Sequence, residues 1–242
     1  MCIRDRFRRS LKNFKLFNSF KKKFETIKND YQDLPIANEN FIDAILAPVF
    51  FVTISRFQEL QTSILLTGAL IVITLSYRIF RKESLKNSLI GVAGTSIALL
   101  IAQIQGSASG FFLPGIIRDL SVAVIGFLSI LFGRPFTIYT SKSIRGWPLD
   151  WFLHKNVKPA YREVALIWVV FLGIKGLLQL HFFNSPEILA VIKLATSNQT
   201  TIFLLVMTYI YGQRRLLKLG GPSVDEFLNK TPPPWSSQQS GF

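Results

Sequence analysis

The chain has 242 residues, of which 49% are hydrophobic and only 17% are charged. A soluble domain carries about 25% charged residues, so this composition excludes intrinsic disorder and leaves little polar surface for a soluble globule. One cysteine and two histidines exclude a disulfide framework and a zinc cluster, and we expect no metal site and no cofactor. The formal net charge of +14 allows two interpretations, a nucleic-acid footprint or the basic loops of a membrane protein.

Long uncharged runs decide in favour of a membrane protein. The 31 residues between Lys86 and Arg118 contain no charged side chain, and neither do the 20 residues from Leu194 to Gln213. A helix needs about 20 mostly apolar residues to cross a ~30 Å hydrocarbon core, where each backbone polar group must bond within its segment. We therefore predict an all-α polytopic bundle of about six transmembrane helices within residues 41–217. The predicted spans are Phe41–Ser55, Leu60–Phe80, Ser88–Gln105, Ile116–Phe132, Val164–Phe183 and Ile188–Tyr211.

The first predicted span is the weakest, because its apolar stretch is short enough to be re-entrant or interfacial instead. The basic residues nevertheless support it. Of the 28, 24 lie in the two terminal segments and in the second and fourth connections, one lies in the remaining connections, and three lie inside spans. The positive-inside rule then predicts that both termini are cytoplasmic. Because membrane insertion accounts for this charge, we expect no nucleic-acid partner.

The segments that flank the bundle have their own patterns. Residues 1–6 are interpreted as a translated sequencing-adapter remnant. In residues 7–40, apolar side chains recur at spacings of three and four with lysine and arginine between them. This pattern predicts a cytoplasmic basic amphipathic helix lying on anionic lipids, the alternative being a helix packed on the protein's own loops. The Pro-, Ser- and Gln-rich residues 218–242 predict a disordered cytoplasmic tail.

Four ionisable residues lie at predicted membrane depth, where such residues are costly and often functional. They are Arg118, Asp119, Lys175 and Lys193, all in the predicted outer half of the bilayer. If they face one another, three cations meet one carboxylate, and the pocket would attract an anionic headgroup, a phosphate or an exchanging anion. In the alternative interpretation the cations extend to headgroups and Asp119 pairs with one of them. Lys175, about 12 Å deep, fits that alternative least.

Two further features are interpreted structurally. On the inner side, Asp43 can pair with Arg78 or Arg81, which would fix the topology of the first two spans. The loop from Gln105 to Gly115 is small and uncharged, and it predicts either a tight turn or a segment dipping into the outer leaflet. Its two phenylalanines, Phe111 and Phe112, are expected at the bilayer interface.

The order of motifs resembles the domain-of-unknown-function family 3159, uncharacterised bacterial integral membrane proteins. The resemblance covers residues 41–217 and includes the stretch 83–95. Its most specific elements are Phe112, Leu113, Pro114 and Gly115, followed by Gly133, Arg134 and Pro135. More distantly, the layout is similar to the intracellular septation protein A family. The resemblance implies a multi-pass protein of the bacterial inner membrane, linked to the cell envelope or septation, with no catalytic residues to carry over.

We therefore expect a non-enzymatic membrane protein in cell-envelope organisation or septation, acting through lipid or membrane-protein partners. The alternative is a small-solute or ion transporter that uses the intramembrane charges. An enzyme acting on a lipid-linked substrate comes third, because the sequence has neither a nucleophile–base pair nor a metal cluster.

Overall fold

The computed structural model describes residues 41–80, 85–196, 198–239 and 241–242, with side chains for all of these except residues 41–45, 78, 85–91 and 198. Every regular element in these ranges is helical. In chain order the helices are α1 (Phe41–Ser55), α2 (Leu60–Phe80), α3 (Leu85–Gln105), a 3-10 turn (Ala108–Phe112), α4 (Leu113–Leu131), α5 (Phe136–Arg145), α6 (Leu149–Phe152), α7 (Lys158–His181), α8 (Pro186–Ala195), α9 (Asn198–Leu219) and α10 (Val224–Leu228).

Three helical stretches are long and apolar enough to cross a membrane. They are Leu60–Tyr77, Ala108–Leu131 and Lys158–His181. A fourth candidate is the pair α8 and α9, which meet at an angle of 41° and form either a broken span or a re-entrant loop. Long apolar helices of this kind are consistent with a membrane protein. The described residues thus support three or four spans, and the predicted count of six and the predicted orientation stay predictions.

The sixth predicted span is not one continuous helix. Helix α8 ends at Ala195 and α9 begins at Asn198. The predicted span Ile188–Tyr211 stays a candidate, either as a broken span or as a re-entrant loop. The hydroxyl of Thr196 donates to Ile192 O at 2.6 Å, and that of Thr200 donates to Ala195 O at 2.6 Å. Such side-chain bonds compete with the helical ladder and favour helix ends.

Among the described helices, α4 and α7 make the most extensive contact with each other. A Cβ added at Gly176 would lie 2.5 Å from Leu120 Cδ2, and one added at Gly126 would lie 2.8 Å from Val169 Cγ2. Glycine at both positions lets the helices approach this closely. Since Leu120 pairs with residue 176 and Gly126 with residue 169, the two helices run antiparallel. The start of α4 and the end of α7 therefore lie at the same end of the bundle.

A phenylalanine-rich core packs at that end. It joins α1, α3, the 3-10 turn, the start of α4 and α8, and includes Phe51, Ala102, Phe111, Phe112, Ile116 and Leu189. Phe111 and Phe112 are only 4% and 3% exposed, so both rings face the protein core, and the expectation that they lie at the depth of the bilayer interface stays a prediction. The 3-10 turn leads directly into α4 and turns both rings inward, where Phe111 contacts Phe51 at 5.0 Å between ring centroids.

A second core, here called the aromatic cap, lies at the opposite end of α4 and α7. It joins α5, α6, the start of α7, the end of α9 and the C-terminal segment, and includes Trp151, Phe152, Tyr161, Leu216, Val224 and Phe242. The ring of Phe242 stacks on Tyr161 with centroids 4.3 Å apart and planes 11° apart.

The C-terminal segment, predicted to be disordered over 218–242, is packed in the described residues. Trp151 Nε1 donates to Pro222 O at 2.9 Å, and Gln213 Nε2 donates to Gln238 O at 2.8 Å. Helix α10 begins with a capping box in which Ser223 and Glu226 bond each other's backbone. The composition of the segment alone predicts disorder. It cannot reveal these bonds and ring contacts, because they join the segment to residues that are distant in the sequence.

Candidate intramembrane charge site

The candidate site is centred on Asp119, in the second turn of α4. The residue is 4% exposed, and its Oδ2 lies 2.8 Å from the Nζ of Lys175 on α7. The Lys175 side chain is itself only 11% exposed. A charged pair removed from water requires good geometry on both sides to offset its desolvation. The antiparallel contact of α4 and α7 provides it by placing residues 119 and 175 opposite each other.

Arg118 occupies the other carboxylate oxygen. Its Nε and Nη2 donate to Asp119 Oδ1 at 3.1 and 2.9 Å, while its side chain is 71% exposed. Both oxygens of Asp119 are therefore bonded to cations. The exposed guanidinium makes this side of the pair accessible from outside the helical core.

Lys193, on α8, brings a third cation to this end of the bundle. Its Nζ lies 5.2 Å from the ring centroid of Phe111 and 5.6 Å from that of Phe112, and the residue is exposed. The structure thus brings Arg118, Asp119 and Lys175 into direct contact and places Lys193 against the two phenylalanines that precede α4. Three cations and one carboxylate leave a formal excess of two positive charges at this end of the bundle.

The depth of the pair follows from its place in the helices. Asp119 lies six residues after the start of α4, and Lys175 lies six residues before the end of α7. At 1.5 Å per residue, each is about 9 Å from the end of its helix. In a membrane these positions would fall inside the hydrocarbon core, where ionisable residues are rare and mark functional sites.

Gln179 is a site residue that the sequence interpretation missed. It lies one turn after Lys175 on α7 and is 4% exposed, and its Oε1 has no hydrogen-bond partner in the described structure. Buried polar atoms are almost always paired, so an unpaired one needs an explanation. The available signal was the i, i+4 spacing to Lys175, but burial of this glutamine became visible only once α4 and α7 were packed.

The motif at Phe112 to Gly115 starts a helix. Phe112 precedes the first residue of α4, Leu113, and Pro114 lies in the first turn, where its missing N–H costs nothing. This motif positions the site, because the 3-10 turn ends and α4 begins within it, a few residues before Asp119.

The motif Gly133, Arg134 and Pro135 ends the same helix. Gly133 has a φ of +70°, Gly133 N donates to Ile130 O, and Arg134 N donates to Ser129 O. These are the two bonds of a Schellman motif, in which glycine is favoured because the conformation is left-handed. Pro135 then precedes α5. The described contacts of this motif are structural.

The predicted inner-side pair cannot be examined, because the side chains of Asp43, Arg78 and Arg81 lie outside the described residues. The structure contains another pair at the aromatic-cap end that the sequence did not predict. Arg215 of α9 donates to Glu163 of α7, with Nη2 2.8 Å from Oε1, and Tyr211 Oη donates to Glu163 Oε2 at 2.7 Å. No cluster of three or more His, Cys, Asp or Glu side chains with metal-binding geometry occurs in the described part of the chain.

Comparison with known proteins supports the resemblance seen in the motifs. The family model "Protein of unknown function (DUF3159)" matches residues 38–216, about three quarters of the chain. No curated protein and no solved structure matches the chain, and similarity to septation protein A is not found. Because the matched region contains α1 to α8 and most of α9, the chain belongs to the DUF3159 family.

Proposed function

We propose that this protein is a membrane transporter that binds a small anion at the charge site. The observation that carries the proposal is the Asp119–Lys175 pair, 2.8 Å long and buried between two apolar helices, with Arg118 bonded to the same carboxylate and Lys193 at the same end of the bundle. Intramembrane ionisable groups of this kind line ion and substrate pathways.

The charge balance of the site favours an anion. Asp119 offsets only one of the three positive charges, so this end of the bundle keeps a formal excess of two, and positive charge attracts an anion. The two phenylalanine faces attract the Lys193 ammonium by about 0.5–2 kcal/mol. An anion would attract it more strongly, since it brings a full negative charge into a site of low dielectric constant.

Asp119 holds two of the cations in place. Its carboxylate bonds both Lys175 and Arg118.

The break between α8 and α9 supplies the second support. Lys193 lies in the last turn of α8, just before the 41° bend. Transporters commonly build their substrate sites at such discontinuous helices, because the two halves can move separately. A motion of α8 would change the distance between Lys193 and the Asp119–Lys175 pair.

The alternative interpretations differ in what they explain. One alternative is that the cationic side chains extend to lipid headgroups. This fits Arg118, which is 71% exposed, but it does not fit Lys175, which is 11% exposed. The expected role in cell-envelope organisation or septation stays a prediction, since no described contact favours it over other roles. The expectations of a non-enzymatic protein and of lipid or membrane-protein partners also stay predictions.

The test is uptake of radiolabelled chloride, sulfate and phosphate into proteoliposomes containing the purified full chain, with imposed pH and potential gradients. We expect uptake of at least one anion, and loss of about tenfold or more in Asp119→Asn and Lys175→Met, since each removes an interaction worth several kcal/mol. Glu163→Gln is the matched control, because it breaks a pair of the same length at the other end of α7 and should leave uptake unchanged. Uptake that survives both charge-site substitutions, or a wild-type protein that moves none of the three anions, would overturn the proposal.

A further inference from the structure

We infer that Gln179 makes the charge site selective for oxyanions that carry a proton, with hydrogen phosphate as the simplest member. The same chemistry is offered by free phosphate and by the phosphate-monoester headgroup of a lipid. This inference rests on the proposed anion-binding function of the site and adds the class of ligand to it.

The first step is the state of Gln179 itself. The residue is 4% exposed, and its Oε1 meets no donor among the described residues. An acceptor removed from water without a donor destabilises the protein. A bound molecule that supplies the missing donor would recover this free energy, and the recovered free energy would appear as affinity.

The second step is the position of Gln179 relative to the cations. Residues four apart lie on the same face of a helix, one above the other, so Gln179 and Lys175 share a face of α7. That face packs on α4, because Gly176 approaches Leu120 and Lys175 bonds Asp119. Gln179 lies one turn nearer the end of α7 than Lys175 does. Gln179 therefore lies between Lys175 and the nearer end of α7.

The third step is the chemistry that fits both groups. Cations at Lys175, Lys193 and Arg118 bind deprotonated oxygens, while Gln179 Oε1 can only accept. Hydrogen phosphate presents deprotonated oxygens and a P–O–H group at once, so its hydroxyl would donate to Gln179 Oε1. Sulfate has nearly the same size and shape but carries no proton at neutral pH. It would place a second acceptor against Oε1, and chloride would leave Oε1 unpaired.

Sites built to hydrogen-bond a group on the substrate reject the analogue that lacks it, because their own buried polar atom is then left unpaired. An unsatisfied buried acceptor of this kind corresponds to a factor of about 5–150 in affinity. We therefore expect wild-type protein to favour phosphate over sulfate by about tenfold or more.

The experiment measures initial uptake of radiolabelled phosphate and sulfate in phosphatidylcholine proteoliposomes at neutral pH. In Gln179→Leu the ratio of phosphate to sulfate uptake should fall to about one, chiefly through loss of phosphate uptake. Gln179→Met, which is unbranched and also lacks an acceptor amide, should behave in the same way and serves if the leucine variant does not fold. Gln103→Leu is the matched control, since Gln103 is an exposed glutamine near the end of α3, and it should retain the wild-type ratio.

A second arm identifies the source of the phosphate group. Inclusion of phosphatidic acid in the vesicles should inhibit phosphate uptake by wild-type protein, and not by Gln179→Leu, if the headgroup is the ligand. No inhibition indicates free phosphate. In both cases the wild-type preference for phosphate over sulfate supports the inference.

The failures are distinguishable. If wild-type protein takes up phosphate and sulfate equally and Lys175→Met abolishes both, the inference about Gln179 is overturned while the anion-transport proposal stands. If the preference exists but survives both Gln179 substitutions, the inference is again overturned. If wild-type protein takes up neither anion, the inference falls together with the site on which it rests.

Discussion

The two ends of the α4–α7 pair carry ion pairs of equal length in different surroundings. Asp119 and Lys175 are 2.8 Å apart with side chains 4% and 11% exposed, while Glu163 and Arg215 are also 2.8 Å apart with side chains 32% and 36% exposed. An exposed pair contributes about 0–1 kcal/mol, whereas removal of one partner of a buried pair costs about 3–5 kcal/mol. Burial therefore distinguishes the two pairs, and the distance does not.

The surroundings differ in charge as well. The buried polar side chains of the aromatic cap are neutral, and several find partners within the protein, as when Thr137 Oγ1 donates to Tyr161 O at 2.8 Å and Trp151 Nε1 donates to Pro222 O. Each end keeps one buried atom without a hydrogen-bond partner among the described residues, Tyr161 Oη in the cap and Gln179 Oε1 near the charge site. The charge of the buried groups therefore distinguishes the two ends, and polar satisfaction does not.

The largest expected effect is that of Asp119→Asn on stability. The substitution leaves Lys175 buried without a carboxylate, so we expect a loss of about 3–5 kcal/mol in the free energy of unfolding. Glu163→Gln should cost about 0–1 kcal/mol. Chemical denaturation in detergent, followed by tryptophan fluorescence, measures both values.

A double substitution sharpens this test. Asp119→Asn combined with Lys175→Met removes the stranded charge as well as the carboxylate, and should recover much of the lost stability. Equal costs for Asp119→Asn and Glu163→Gln would show that burial does not separate the two pairs.

The next effect concerns the helix contact that brings the site together. Gly176→Ala would place a Cβ 2.5 Å from Leu120 Cδ2, and overpacking of this kind costs about 1–3 kcal/mol. Gly173→Ala on the same helix meets no atom within 4 Å and should change stability little. The same denaturation measurement compares the two variants. A neutral Gly176→Ala would contradict the close approach of α4 and α7.

Much of this arrangement was accessible from the sequence. The uncharged run from Leu60 to Tyr77 led to a predicted span, Leu60–Phe80, with the observed ends of α2, and the depth of Asp119 and Lys175 in apolar runs singled them out. Both inferences need only local composition and the thickness of a bilayer.

Most of the missed features depend on contacts between distant residues. The break after Ala195 is an exception, because the hydroxyls of Thr196 and Thr200 bond backbone carbonyls four and five residues away. Gln179 looked like one polar residue at a helix end until α4 covered it. The stacking of Phe242 on Tyr161 joins the last residue of the sequence to the start of α7, which the composition of the tail could not indicate.

A smaller effect is expected in the aromatic cap. Gly212→Ala would place a Cβ 2.4 Å from Phe242 Cε2, which should displace the ring from Tyr161. The lost aromatic contact is worth about 0.5–1.5 kcal/mol, and the freed segment should become sensitive to limited proteolysis. Phe242→Ala should produce the same release, and the two substitutions together should not add. Additive effects would show that Gly212 and Phe242 do not share one contact.

The smallest effect is the pH dependence of the C-terminal segment. Glu226 accepts hydrogen bonds from Ser223 N at 2.7 Å, Ser236 N at 2.8 Å and Ser236 Oγ at 2.7 Å. These bonds lower the pKa of Glu226 from 4.5 to about 2, and the bond from the Ser223 backbone has the largest effect. Because the pKa in the folded protein lies below its ordinary value, the stabilisation is fully present above pH 4.5 and is lost as the pH falls through about 2.

Trp235 fluorescence should report this transition, since its indole donates to Thr231 O within the same segment. The Glu226→Gln variant lacks the titrating group, so its signal should stay constant across that pH range. A transition that persists in Glu226→Gln would assign the pH dependence to another group and remove Glu226 from the attachment of the segment to the cap.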